Sequence, residues 1–109
     1  MNDLALKISR NDTARLVRSS NRIGNHRNCV RISTGNSLEH EIAKLKKCYE
    51  LLKEGKEFLT EAIFENGTRA DILVLDDGIA IEIVCSEKEE SLEKKAANYP
   101  VEMEVIRIG

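Results

Sequence analysis

The clearest pattern in the chain is a helical one that starts near residue 37. Apolar side chains recur every three or four positions up to Gly55, namely Leu38, Ile42, Leu45, Tyr49 and Leu52. Ser37 is a favourable N-cap residue, and the acidic residues that follow it suit the positive end of the helix dipole. The pattern predicts a helix of about 16 residues whose apolar stripe is buried against the rest of the domain.

After this helix the period of the apolar positions changes to two. The alternation predicts three strands, over residues 58–64, 69–76 and 79–85. Asp77 and Gly78 fit the tight two-residue turn of a hairpin between the second and third strands. The three strands should therefore form an antiparallel meander.

A second helix and a fourth strand complete the pattern. Ser86 and Glu89 form a capping box that opens a helix to about Asn98. Pro100 stops this helix, and residues 101–108 alternate as a strand. Because a helical crossover joins the third and fourth strands, these two should run parallel. The expected fold class is α/β, with an αβββαβ core and a four-stranded mixed sheet that carries a helix on each face.

Charge divides the chain near residue 36. Residues 1–36 hold seven basic and two acidic residues, a net charge of +5, whereas residues 37–109 hold ten basic and seventeen acidic residues, a net charge of −7. We expect a basic polar arm over residues 1–36, with at most a short helix near residues 14–21, and a domain over residues 37–109. The arm is a candidate nucleic-acid contact through four arginines, Arg15, Arg18, Arg22 and Arg27. The alternative is a solvated arm that packs on the acidic body.

The cysteines and the hydropathy of the chain point to a cytoplasmic protein. Cys29, Cys48 and Cys85 are an odd number without close spacing, which favours reduced thiols over disulfides or a zinc site. No apolar run is long enough to span a membrane, and no signal-peptide core is present at the N-terminus.

Two acidic residues interrupt the apolar face of the predicted hairpin. With Asp77 and Gly78 as the turn, Leu73 pairs with Glu82 and Asp71 faces Val84, so both acids share one face as diagonal neighbours. Any other turn of even length keeps them on the same side. Burial of two like charges is costly, and Mg²⁺, which prefers oxygen ligands, would relieve that cost. The alternative is an inert cluster in which Arg69 and a helix lysine neutralise the acids.

The first helix can add further polar groups to the same corner. Glu41 lies at the border of its apolar stripe, and Lys44 follows one turn later. His40 is expected on the helix surface. The face on which Glu61 lies depends on a strand register that the sequence leaves open.

These residues resemble the PD-(D/E)XK nuclease superfamily, which has a restriction-endonuclease-like αβββαβ core. Asp71 matches the aspartate at the start of the second strand, Glu82 the glutamate of the third, and Glu41 the glutamate of the first helix. The resemblance covers residues 37–108. Within the superfamily it extends to small archaeal and archaeal-virus nucleases and to the resolvase-like branch, without assigning the chain to one subfamily. It implies an Mg²⁺- or Mn²⁺-dependent DNA endonuclease in which Asp71, Glu82 and the Ile83 carbonyl hold the metal.

The resemblance fails at the motif lysine, whose position is taken by Val84. One interpretation is a relocated lysine, with Lys44 as first choice and Lys88 or Lys95 behind it. The other is a degenerate nuclease that binds nucleic acid without cleaving it, and a structural domain that binds no nucleic acid is a third hypothesis. The nuclease hypothesis further suggests a homodimer, because two active sites would then act on two DNA strands.

Overall fold

A computed structural model describes residues 2–18 and 26–109 of the protein. In these residues the chain forms three α-helices and four β-strands, in the order α1 (Asp3–Ala14), α2 (Leu38–Lys53), β1 (Phe58–Ile63), β2 (Arg69–Val74), β3 (Ile79–Val84), α3 (Glu89–Asn98) and β4 (Glu102–Arg107). None of the helices described is long and apolar enough to cross a membrane.

The four strands form one mixed sheet in the order β1-β2-β3-β4. The first three strands are an antiparallel meander, and β4 lies parallel to β3 after the crossover through α3. The α/β class and the αβββαβ order expected from the sequence are therefore confirmed.

Buried apolar side chains of the described residues form two clusters. In one, Cys48 and Leu51 of α2 pack on four strand residues, Phe58, Ile72, Val74 and Ile81. In the other, the N-terminal segment and the residue after α3 pack on further sheet residues. Its members include Ala14, Val17, Leu59, Ala62, Phe64, Ala70, Leu73, Leu75, Ala80 and Tyr99.

Helix α2 contacts the sheet through a face that the apolar pattern did not predict. Its buried residues are Glu41, Lys44, Cys48 and Leu51. The five residues of the expected buried stripe are exposed, with relative accessibilities of 70% for Leu38, 43% for Ile42, 55% for Leu45, 61% for Tyr49 and 48% for Leu52. The expectation that this stripe is buried was wrong, because ion pairs hold the polar side of the helix against the sheet.

The turn between β2 and β3 is longer than expected. Leu73 pairs with Ala80 rather than with Glu82, so the register differs by two residues from the predicted one. Leu75 leaves the hairpin because its N–H donates to the Glu57 carbonyl. Residues 75–78 then form a four-residue turn that ends at Gly78, whose φ of 64° suits glycine.

The N-terminal segment differs from the irregular arm that its composition suggested. Its helix, Asp3–Ala14, precedes the stretch in which a short one was expected, and Asn2 caps it by accepting from Ala5 N at 2.8 Å. Val17 is fully buried and forms a β-bridge with Phe64. Contacts with the sheet thus cross the predicted boundary at residue 36.

Candidate metal-binding site

Three carboxylates lie side by side across three neighbouring strands. In β1 and β2 the pairs Thr60–Ile72 and Ala62–Ala70 flank Glu61 and Asp71, which places these two acids opposite each other. The β2–β3 register, extended one step beyond Ile72–Ile81, places Asp71 opposite Glu82. The sequence predicted these two acids as diagonal neighbours on one face, and the longer turn, whose length is also even, places them opposite each other.

The backbone is irregular where these carboxylates lie. Glu61 has a φ of 50°, in the left-handed region that non-glycine residues rarely adopt. Between β2 and β3, the Ile83 N–H donates to Asp71 Oδ2 at 2.7 Å. In a regular ladder this N–H would donate to a backbone carbonyl of β2 instead. Strained backbone of this kind is common at functional sites.

Helix α2 contributes an ion-pair cluster behind the strand carboxylates. Lys44 is fully buried, and its Nζ lies 2.7 Å from Glu41 Oε2 and 3.1 Å from Glu61 Oε1. Burial acts to raise the pKa of Glu41, but hydrogen bonds, first from Lys44 and then from Asn36, outweigh it and lower this pKa to about 2. Burial likewise acts to lower the pKa of Lys44, yet hydrogen bonds to Glu41 and Glu61 raise it. Glu41 and Lys44 are therefore both ionised at neutral pH.

His40 connects this cluster to Asp71. Its Nδ1 lies 3.0 Å from Glu41 Oε1, and its Nε2 lies 3.3 Å from Asp71 Oδ2. An imidazole ring protonated on both nitrogens would donate to both carboxylates. The sequence placed His40 on the surface, whereas the structure leaves only 15% of its side chain exposed.

Glu82 receives its contacts from α3 and the residue that follows it. The Tyr99 hydroxyl donates to Glu82 Oε1, and it also lies 2.7 Å from the Arg69 carbonyl oxygen. Lys95 Nζ lies 3.7 Å from Glu82 Oε2 and 3.0 Å from Glu87 Oε2. Burial acts to lower the pKa of Lys95, but Glu87 and Glu82 raise it, so this lysine remains an ammonium ion.

A polar cavity of about 310 Å³ separates α2 from α3 at this corner of the sheet. Asp71, Glu82 and Ile83 line it, as do His40 and Lys95. Lys44 and Glu41, which sequence reasoning placed in the site, are not among its lining residues. The structure therefore gives Lys95, rather than Lys44, direct access to the cavity.

Asp71 and Glu82 both bind protons more tightly than ordinary carboxylates. Burial raises the pKa of Asp71, and the hydrogen bond from Ile83 N offsets only part of this effect. Burial also raises the pKa of Glu82, and the negative charge of Asp71 raises it further. The cavity thus holds two adjacent carboxylates whose charges are not fully compensated by the protein.

The donor set of the cavity suits a cation that needs few protein ligands. Among the described residues, no group of three or more His, Cys, Asp or Glu side chains has an arrangement that could hold a metal ion. The Glu61 carboxylate already forms an ion pair with Lys44 Nζ at 3.1 Å and lies 3.7 Å from Arg69 Nη1. Asp71 and Glu82 remain, and Mg²⁺ is commonly bound through one or two carboxylates with water and phosphate.

A second, basic groove of about 290 Å³ shares Lys95 with this cavity. Its other lining residues are Thr68, Arg69, Lys94, Asn98 and Tyr99. The side chain of Arg18 lies beside Gly67, one residue from the groove. Positive groups therefore border the carboxylates on the side of α3.

Of the four arginines expected to contact nucleic acid, the three in the described residues have different neighbours. Arg15 is largely exposed and lies 3.4 Å from Asp12, whereas Arg27 pairs with Glu57 at 2.9 Å. Arg18 lies near the basic groove, and Arg22 is outside the described residues. Arg69 and Lys94, which line the groove, were not predicted as contacts.

Comparisons with family models, with curated proteins and with solved structures give no match to this chain.

Proposed function

We propose that the protein is an Mg²⁺- or Mn²⁺-dependent endonuclease that hydrolyses phosphodiester bonds in duplex or branched DNA. The observation that carries the proposal is the pair of opposed carboxylates, Asp71 and Glu82, beside a cavity that also contains a lysine ammonium. Both carboxylates have raised pKa values and lack full compensation, which is a cost to folding that binding of a divalent cation would remove.

Asp71, Glu82 and the carbonyl of Ile83 are the groups that would hold the cation. When bound, a divalent metal supplies an activated water nucleophile and stabilises charge on the phosphoryl oxygens. The Ile83 N–H fixes the Asp71 carboxylate, and Tyr99 fixes that of Glu82, so the two ligands are oriented before any cation arrives.

In the proposed mechanism, Lys95 takes the role that the motif lysine has in PD-(D/E)XK nucleases. Its Nζ is 3.7 Å from Glu82 Oε2, and 42% of its side chain is exposed, so it can contact a phosphate at the cavity. Because its pKa is raised, it acts as a hydrogen-bond donor and a positive charge, and not as a base. Lys44 supports the site indirectly by keeping Glu41 ionised and by holding Glu61 in place.

The basic groove gives the proposed DNA substrate its electrostatic contact. Arg69, Lys94 and Lys95 present three positive charges beside the carboxylate pair. Cations placed in this way neutralise backbone phosphates without reading base sequence. The groove and the cavity share Lys95, so one bound strand would pass from the groove to the carboxylates.

The proposal is tested by incubating supercoiled and branched DNA with the protein in Mg²⁺ or Mn²⁺. Wild type and Glu102→Gln, whose changed residue lies exposed on β4, should cleave, whereas Glu82→Gln should lose at least about 100-fold in rate. The proposal is overturned if wild type cleaves nothing in either metal, or if Glu82→Gln cleaves as fast as wild type. Salt-dependent binding without cleavage would instead identify the degenerate, non-catalytic nucleic-acid-binding module.

A further inference from the structure

The outward face of α2 carries a long apolar stripe. Its five members, Leu38, Ile42, Leu45, Tyr49 and Leu52, have relative accessibilities between 43% and 70%. They are separated alternately by four and three residues, which is the heptad spacing of helices that pack side by side. A continuous exposed apolar patch on a small domain marks an interaction surface.

The apolar surface extends beyond the helix. A groove of about 440 Å³ separates α2 from the edge strand β4, and its floor includes Ile42, Ala43, Ile106 and Ile108. A stable protein interface buries about 800 Å² on each partner, more than a single helix stripe offers. The groove adds apolar surface next to the stripe, and a side chain of a binding partner can fill the groove.

The two ends of the exposed flank of α2 carry opposite charges. Glu39 lies in the first turn and Lys53 in the last turn. Between them lie Lys46 and an ion pair of Lys47 with Glu50. In an antiparallel pair, the acidic first turn of each helix approaches the basic last turn of the other. A parallel pair would place like charges side by side.

We infer that this face is a two-fold interface with a second copy of the chain, in which the two α2 helices pack antiparallel and cross near Leu45. The same patch then serves both partners, as a closed two-fold dimer requires. Ile42 of each copy lies toward Tyr49 of the other, and the ends of the helices match in charge. The inference uses no residue of the carboxylate cavity and holds whether or not the protein cleaves DNA.

The mass of the full chain in solution tests the inference directly. Sedimentation equilibrium over the micromolar range should give twice the 12.3 kDa of one chain. Leu45→Glu and Tyr49→Glu should each raise the dissociation constant about 30-fold or more, as the loss of a central interface residue does. Leu4→Glu is the matched control, because Leu4 is 69% exposed on α1, and it should leave the mass unchanged.

Disulfide trapping tests the orientation of the helices. In a background with Cys29→Ser and Cys85→Ser, Leu45→Cys lies near the two-fold axis and should cross-link two copies on oxidation. Leu38→Cys lies far from the axis in an antiparallel pair and should not. A one-chain mass for wild type, a dimer unaffected by both glutamate variants, or equal cross-linking at both positions would overturn the inference. Circular dichroism confirms that each variant is folded.

Discussion

Asp71 on β2 lies opposite Glu82 on β3, one step beyond the last ladder pair of the two strands, Ile72–Ile81. Burial is the largest cause that raises the pKa of each carboxylate, and the negative charge of Asp71 raises the pKa of Glu82 further. A group whose pKa is higher in the folded state stabilises the fold below its unfolded pKa, and this contribution is lost as the pH rises through the folded pKa. At neutral pH the pair therefore costs stability.

Removing one of these charges should stabilise the metal-free protein. Asp71→Asn keeps an oxygen that can accept from Ile83 N, and it removes the repulsion with Glu82. We expect a gain of about 1 kcal/mol, or roughly 4–8 °C in Tm, at neutral pH. Thermal unfolding by circular dichroism in the presence of chelator measures it.

The same variant should lose its response to metal. Mn²⁺ at about 100 times its dissociation constant should stabilise wild type by about 2.7 kcal/mol. Asp71→Asn should show little of this gain, whereas Glu102→Gln should retain all of it. An equal rise in Tm for Asp71→Asn and wild type would show that the cation binds elsewhere.

Metal binding should weaken on acidification at a higher pH than is usual for carboxylates. A cation competes with protons for Asp71 and Glu82, and both hold protons more tightly than free Asp or Glu. The affinity for Mn²⁺ should therefore be full above the raised pKa values and fall as the pH drops through them. Calorimetric titrations at a series of pH values measure this, and an affinity that stays constant down to the ordinary carboxylate range would contradict it.

The buried pair of Lys44 and Glu41 should make the fold sensitive to strong acid. The pKa of Glu41 is lowered from 4.5 to about 2. Its ionised form therefore adds to the free energy of unfolding above the unfolded pKa, and this stabilisation is lost as the pH falls toward 2. We expect wild type to lose about 2 kcal/mol more than Glu41→Gln over this interval. Urea unfolding at several pH values gives the pH dependence of the free energy of unfolding for both proteins.

Lys44 itself should be more sensitive to replacement than Glu41. Lys44→Ala leaves Glu41 and Glu61 buried without their cation, which should cost about 3–5 kcal/mol. Lys7→Ala, on the exposed side of α1, is the control and should change the free energy of unfolding little. Equal stability of the two variants would mean that the buried lysine is not needed for the fold.

The N-terminal helix should depend on one bidentate ion pair. Arg10 Nε and Nη2 donate to Asp76 Oδ1 and Oδ2 at 2.9 and 3.0 Å, and Nη2 also donates to the Gly55 carbonyl. We expect Arg10→Ala to destabilise the protein by about 2–3 kcal/mol and to speed amide hydrogen exchange in α1. Arg15→Ala breaks only an exposed pair with Asp12 and should do neither.

The sequence predicted the order of elements and a shared face for Asp71 and Glu82, but not the register that places them opposite each other. Strand alternation depends on local residues, and every turn of even length keeps these two acids on the same face. The four-residue turn itself depends on Leu75 bonding to Glu57, a contact between distant parts of the chain that no local pattern contains.

The polar side of α2 could not be predicted in the same way. Apolar periodicity assumes that the hydrophobic stripe is buried, yet here Glu41 and Lys44 face the sheet because Glu61 and Ser33 supply partners for them. The position of Glu61 depends in turn on an unusual backbone angle. The exposed stripe still had a detectable signal, since its strict four-three spacing is typical of helices that pack on another helix.

The proposed role of Lys95 should be separable from metal binding by mutation. Lys95→Ala leaves Asp71 and Glu82 in place, so Mn²⁺ should still raise the Tm, whereas the cleavage rate should fall about 100-fold because phosphate charge is no longer stabilised. Lys95→Arg retains the charge and should recover part of the rate. Lys94→Ala, which alters the neighbouring groove, should weaken DNA binding more than it slows cleavage of bound DNA. A wild-type cleavage rate for Lys95→Ala would contradict this role.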